Sequence, residues 1–67
     1  MEFTIKAENV TDEMSVNFPN VDSVWRDVSF VEECNDTHTI IYMVPANDDD
    51  YVVGAFCANS ESVYVRI

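Results

Sequence analysis

Between Val28 and Val44, two runs rich in β-branched and aromatic side chains flank the pair Asn35-Asp36. Asn and Asp tolerate the left-handed backbone angles of a tight turn, so the pattern predicts a β-hairpin with arms over residues 28–34 and 37–44. In a chain of 67 residues, a hairpin of that length leaves the other segments little choice but to pair with it or pack on it. The second arm contains Thr39-Ile40-Ile41-Tyr42-Met43-Val44, almost continuously apolar, which is the pattern of a strand buried on both faces. It is expected at the middle of a sheet, ended by Pro45.

The remaining segments are also strand-like. Phe3, Ile5 and Ala7 alternate with Glu2, Thr4 and Lys6, and Met14, Val16 and Phe18 alternate with Ser15 and Asn17. These predict two short strands with one wet face each, able to pair as an N-terminal hairpin. Tyr51 to Cys57 and Ser62 to Ile67 predict two more, with the lone Gly54 marking a bulge or a close backbone approach. Residues 20–27 are ambiguous. Val21, Val24, Trp25 and Val28 recur at helical spacing, with Asn20 as an N-cap and Asp22 in the first turn. Against the helix, three of the four apolar positions are valine, and the alternative is one long strand from Val24. The expected fold is therefore α+β or mostly β: a small antiparallel sheet of five or six short strands in a single domain, 1–67, with or without a short helix near residues 20–27. Short connections favour a meander from residue 28 onward.

Charge narrows the function classes. Thirteen acids oppose Lys6, Arg26 and Arg66, a formal net charge of −10. Three cations cannot release enough counterions to bind nucleic acid or hold an anionic membrane, so neither is an expected direct partner. The complementary partner is a basic protein surface. An apolar fraction of 48% argues against disorder, while the small core makes a homodimer a reasonable way to gain stability. The amino terminus lacks a basic stretch followed by an apolar run, and no run approaches the ~20 residues of a membrane span. An intracellular, cytoplasmic protein with reduced Cys34 and Cys57 is expected.

No motif specifies catalysis, and no cofactor is expected. Asn47-Asp48-Asp49-Asp50 is dense in oxygen ligands for calcium or magnesium, but it lacks the alternate spacing and glycine of a loop-type site, so a solvated loop is the simpler reading. His38 could serve as base to Cys34, yet the acids around that thiol oppose a thiolate. Trp25, Tyr42, Tyr51 and Tyr64 are candidate interface anchors; Trp25 is expected to pack on the sheet, and Tyr51 and Tyr64 to face outward.

The acids themselves remain the main signal. The candidate partner-binding residues are Glu8, Asp12, Glu13, Asp22, Asp27, Glu32, Glu33, Asp36, Asp48, Asp49 and Asp50. Duplex DNA carries one charge per ~1.7 Å of axis, so ten net charges match about 17 Å of duplex. In size and charge the chain resembles the small acidic inhibitors with which bacteriophages and mobile elements oppose host restriction, CRISPR or repair enzymes. That resemblance implies a non-enzymatic inhibitor that covers a basic nucleic-acid-binding surface by charge mimicry. The alternative is an accessory module that self-associates through aromatics and edge strands, with the C-terminal strand as an open edge.

Overall fold

The computed structural model describes residues 1–67. It contains six strands: β1 (Glu2–Lys6), β2 (Ser15–Asn17), β3 (Arg26–Cys34), β4 (His38–Met43), β5 (Gly54–Ala58) and β6 (Ser62–Arg66). A 3-10 turn at Ala7–Asn9 follows β1, and there is no α-helix. All strands join one antiparallel sheet in the order β1-β6-β2-β3-β4-β5. The central hairpin forms as expected, with Asn35 and Asp36 at φ 58° and 61°. Those left-handed angles give the turn the twist that antiparallel arms require.

β3 connects the two halves of the sheet. Arg26 and Asp27 pair with β2, and from Val28 onward the strand pairs with β4. Ser29 is an extra residue, because Val28 opposes Met43 whereas Phe30 opposes Tyr42. Such a bulge bends the strand and raises its twist. It also reverses the alternation of side chains, so Val28 is buried while Phe30 faces outward. The bend brings inward-facing residues of both halves together: Val16, Val63 and Val65 from one, Val28, Ile41, Met43 and Cys57 from the other. Ala7 and Val10, on and beside the 3-10 turn, complete this nine-residue core.

Several expectations are corrected. The expected helix over residues 20–27 is absent: residues 19–22 form a turn, 23–25 are irregular, and Arg26 and Asp27 already belong to β3. The Phe18 carbonyl accepts the N–H groups of Val21, Asp22 and Ser23, and Ser23 adopts φ 58°. A valine-rich segment this short cannot repay helix nucleation, and a tight turn satisfies its main chain instead. β1 and β2 do not form a hairpin, because β6 lies between them. β6 is consequently an interior strand and not an open edge; the free edges belong to β1 and β5. β4 buries one face only, Thr39, Ile41 and Met43, and leaves His38, Ile40 and Tyr42 half-covered on the other. The last strands also depart from a simple meander, since β6 crosses from β5 to the far side of β2. Tyr51 to Val53 stay outside β5. Gly54 marks no bulge: it sits opposite Tyr42, where an added Cβ would meet the ring at an ordinary 3.7 Å.

Candidate functional site

One cation is withdrawn into the fold. Arg26 lies on the inner side of β3 opposite Val16, nearly inaccessible. Its Nε and Nη2 donate to the two carboxylate oxygens of Asp50 at 2.6 and 2.7 Å. Nη1 and Nη2 donate to Asp22 at 3.1 and 2.7 Å. Bidentate pairs of this kind are the strong form of charged hydrogen bond. The guanidinium, joined by the N–H groups of Ala46 and Val52, holds the Asp50 carboxyl far below the usual carboxylate range. Asp22 is lowered by Arg26 and by the Val24 N–H, and Arg26 is raised in turn by Asp50 and then Asp22. The clamp ties the loop before β5 to the start of β3, and it explains why the three consecutive aspartates diverge. Asp50 turns inward, whereas Asp48 and Asp49 remain exposed. No three His, Cys, Asp or Glu side chains converge as a metal site would require.

The other acids stay outside. Of the thirteen, only Asp22 and Asp50 form ion pairs, so eleven carboxylates have no cationic partner in the chain. Asp27 accepts a hydrogen bond from the Ser15 hydroxyl at 2.6 Å and is still exposed. Hydrogen bonds gather part of this set at one end of the sheet. Asn59 donates its N–H to Thr37 and its side-chain amide to the Asp36 carbonyl, while Glu8 donates to Asn59 and Ala7 to Glu61. The segments carrying Glu8, Asp36 and Glu61 therefore meet at the hairpin tip, beside Glu32 and Glu33 on β3. Asp27, Asp48 and Asp49 lie toward the other end, where Val44 donates to the Asp27 carbonyl. Six residues of β4 separate the two ends, about 20 Å at strand rise. Asp12 and Glu13 occupy the exposed loop before β2.

Between those ends the outer face of β3-β4-β5 carries aromatic rings. Residues directly opposite on paired strands share a face, which gives the rows Phe30-Tyr42-Gly54, Glu32-Ile40-Phe56 and Cys34-His38-Ala58. Phe30 stacks on Tyr42 with centroids 4.3 Å apart, and His38 stacks on Phe56 at 4.5 Å. Phe30 is 50% and Phe56 64% exposed. Of the aromatic candidates read from the sequence, Tyr42 belongs to this face. Trp25 packs under the Arg66 guanidinium, 4.5 Å from its ring, rather than in the core. Tyr51 and Tyr64 face solvent as expected. Phe30 and Phe56 were not among those candidates. Phe30 is two residues from the buried Val28, and only the bulge moves it to the other face.

The nucleophile–base idea finds no support in the geometry. His38 lies across from Cys34, but its Nδ1 is 2.8 Å from the Thr37 hydroxyl and its ring face is on Phe56. Cys57 is on the buried face, Cys34 on the outer one, and both thiols are free. Burial, with the nearby Glu61, pushes the Cys57 thiol up to about 11. Comparison with protein-family models, with curated proteins and with solved structures found no match.

Proposed function

We propose that this protein is a non-enzymatic inhibitor that binds a basic protein surface and covers the nucleic-acid-binding face of an enzyme by charge mimicry. The observation that carries this reading is the unpaired state of eleven of the thirteen carboxylates, in a fold whose most buried cation is already claimed by two acids. Asp22 and Asp50 spend their oxygens on Arg26. Glu8, Asp12, Glu13, Asp27, Glu32, Glu33, Asp36, Asp48 and Asp49 are the phosphate surrogates. Two acidic ends flanking an aromatic face combine long-range attraction with desolvated anchors, and aromatic residues and arginine are the commonest hot spots of protein interfaces. A host restriction, CRISPR or repair enzyme in the cytoplasm is the partner class that this charge suits.

The test is capture from a bacterial lysate at low salt with elution by a salt gradient. The released protein is then assayed for nucleic-acid binding with and without one equivalent of the inhibitor. A nuclease, helicase or polymerase whose DNA or RNA binding is blocked, with affinity falling steeply as salt rises, is the expected result. Affinity that is flat with salt overturns the reading. Self-association is the second reading, favoured by the exposed Phe30 and Phe56; a concentration-dependent dimer in light scattering, with no such enzyme captured, would replace the first.

A further inference from the structure

The sheet has two free edges, and they differ. β1 carries Glu2 and Lys6, charges of the kind that discourage edge-to-edge pairing. β5, Gly-Ala-Phe-Cys-Ala, carries no charge and no proline. Its hydrogen-bond phase follows from two bonds beyond its ends. Met43 donates to the Val53 carbonyl and Asn59 donates to Thr37, so Met43 faces Val53 and Thr37 faces Asn59 as bonded pairs. Bonded and non-bonded pairs alternate along an antiparallel ladder. Ala55 and Cys57 therefore spend their main-chain groups on β4, whereas the N–H and C=O of Gly54 and Phe56 point away from the sheet. No other main-chain hydrogen bond reaches those four groups.

They open onto a groove of about 510 Å³ between β5 and the outer side of β6. Its walls include Phe18, Val21, Phe56 and Tyr64; its charged members are Glu61, beside the closing turn, and Arg26, whose charge Asp22 and Asp50 already neutralise. Asn17, buried on the same wall, has a side-chain Oδ1 with no hydrogen-bond partner. Unbonded strand groups beside apolar walls describe a site for an extended chain.

We propose that β5 is a docking edge, to which an extended, cationic segment of a partner protein adds as a seventh strand, bonding to Gly54 and Phe56. Charge selects this occupant over a second copy. A second copy brings another −10, and its exposed cations are only Lys6 and Arg66, on or beside the opposite edge. A segment bearing Lys or Arg would instead find Glu61 at the groove and the acidic hairpin tip beyond it. The proposal rests on the cationic-partner function given above and specifies how that partner engages.

Two probe peptides separate strand addition from charge alone: an alternating valine–arginine octapeptide and a charge-matched glycine–arginine octapeptide, which forms strands poorly. The valine–arginine peptide is expected to bind about tenfold tighter and to protect the Gly54 and Phe56 amides from hydrogen exchange. Phe56→Pro and Gly54→Pro each remove an outward N–H without breaking a bond to β4, and each is expected to abolish that preference. Gly54→Ala, which keeps the N–H and sets a Cβ at an ordinary 3.7 Å from the Tyr42 ring, should retain most of it. Gly54 opens the strand, where proline is tolerated, so its variant remains informative if Phe56→Pro fails to fold. Equal, salt-sensitive binding of both peptides overturns strand addition and leaves the cationic-partner function standing; no binding of either overturns both. Protection of the same two amides by concentrating the protein alone would make a second copy the occupant and overturn the proposal.

Discussion

Ile40 and Ile41 are adjacent, chemically identical and placed on opposite faces of β4, so they offer a direct test of how this sheet is layered. Ile41 is completely buried at the centre of the core, and Ile40 sits on the outer face between Glu32 and Phe56. Truncating isoleucine to alanine removes three carbons. At ~0.8 kcal/mol per buried methylene this is about 2.4 kcal/mol in transfer alone, before the cavity adds its own cost. Ile41→Ala should therefore cost about 3–4 kcal/mol. A domain of this size has roughly 3–10 kcal/mol in total, so the variant should lose about a third of its stability or more. Ile40→Ala leaves no enclosed void and is already partly wet, and should cost no more than about half as much. Ile41→Val, losing about 1 kcal/mol, should lower the melting temperature by about 4–8 °C and keeps the comparison measurable if the alanine variant does not fold. Circular dichroism melts with urea titrations give the numbers. Equal costs for Ile40→Ala and Ile41→Ala would mean that β4 is buried on both faces, and the outer aromatic surface argued here would not exist.

The Arg26 clamp makes stability depend on pH in one direction. Asp50 and Asp22 have carboxyls held below their unfolded values, so the contribution is fully present above about pH 4 and is lost as pH falls through the lower, folded values. The gap in melting temperature between the natural chain and Asp50→Asn should be constant from about pH 5 upward and shrink below about pH 4; a gap that widens on acidification would contradict the clamp. Asp36→Gly places glycine at a left-handed turn position in the hairpin. It should stabilise by about 0.5 kcal/mol, or about 2–4 °C, and a lower melting temperature would show that the turn has another geometry. Iodoacetamide under native conditions should modify Cys34 and spare Cys57, whose thiol is buried and raised to about 11. Modification of Cys57 at a comparable rate would place it outside the core.

Local pattern was enough for the central hairpin, since Asn35-Asp36 and the β-branched arms act between neighbours in the chain. It was enough for the β1 and β6 segments as well, where strict alternation matches one buried face. The anionic character of the surface was also legible, because twelve of the thirteen acids are exposed. Three features were not legible. The strand order depends on β6 crossing to lie between β1 and β2, a pairing between distant segments that periodicity does not encode. The bulge at Ser29 inverts the phase of β3, and with it the face on which Phe30 lies. The fate of Asp22 and Asp50 depends on where the fold buries Arg26, since a carboxylate is free or spent according to its neighbours in space. Composition and alternation thus determined a β-rich, acidic chain with one dominant turn. Tertiary pairing alone decided which carboxylates remain available, which rings face solvent and which strand edge is left open, because each depends on contacts made far along the chain.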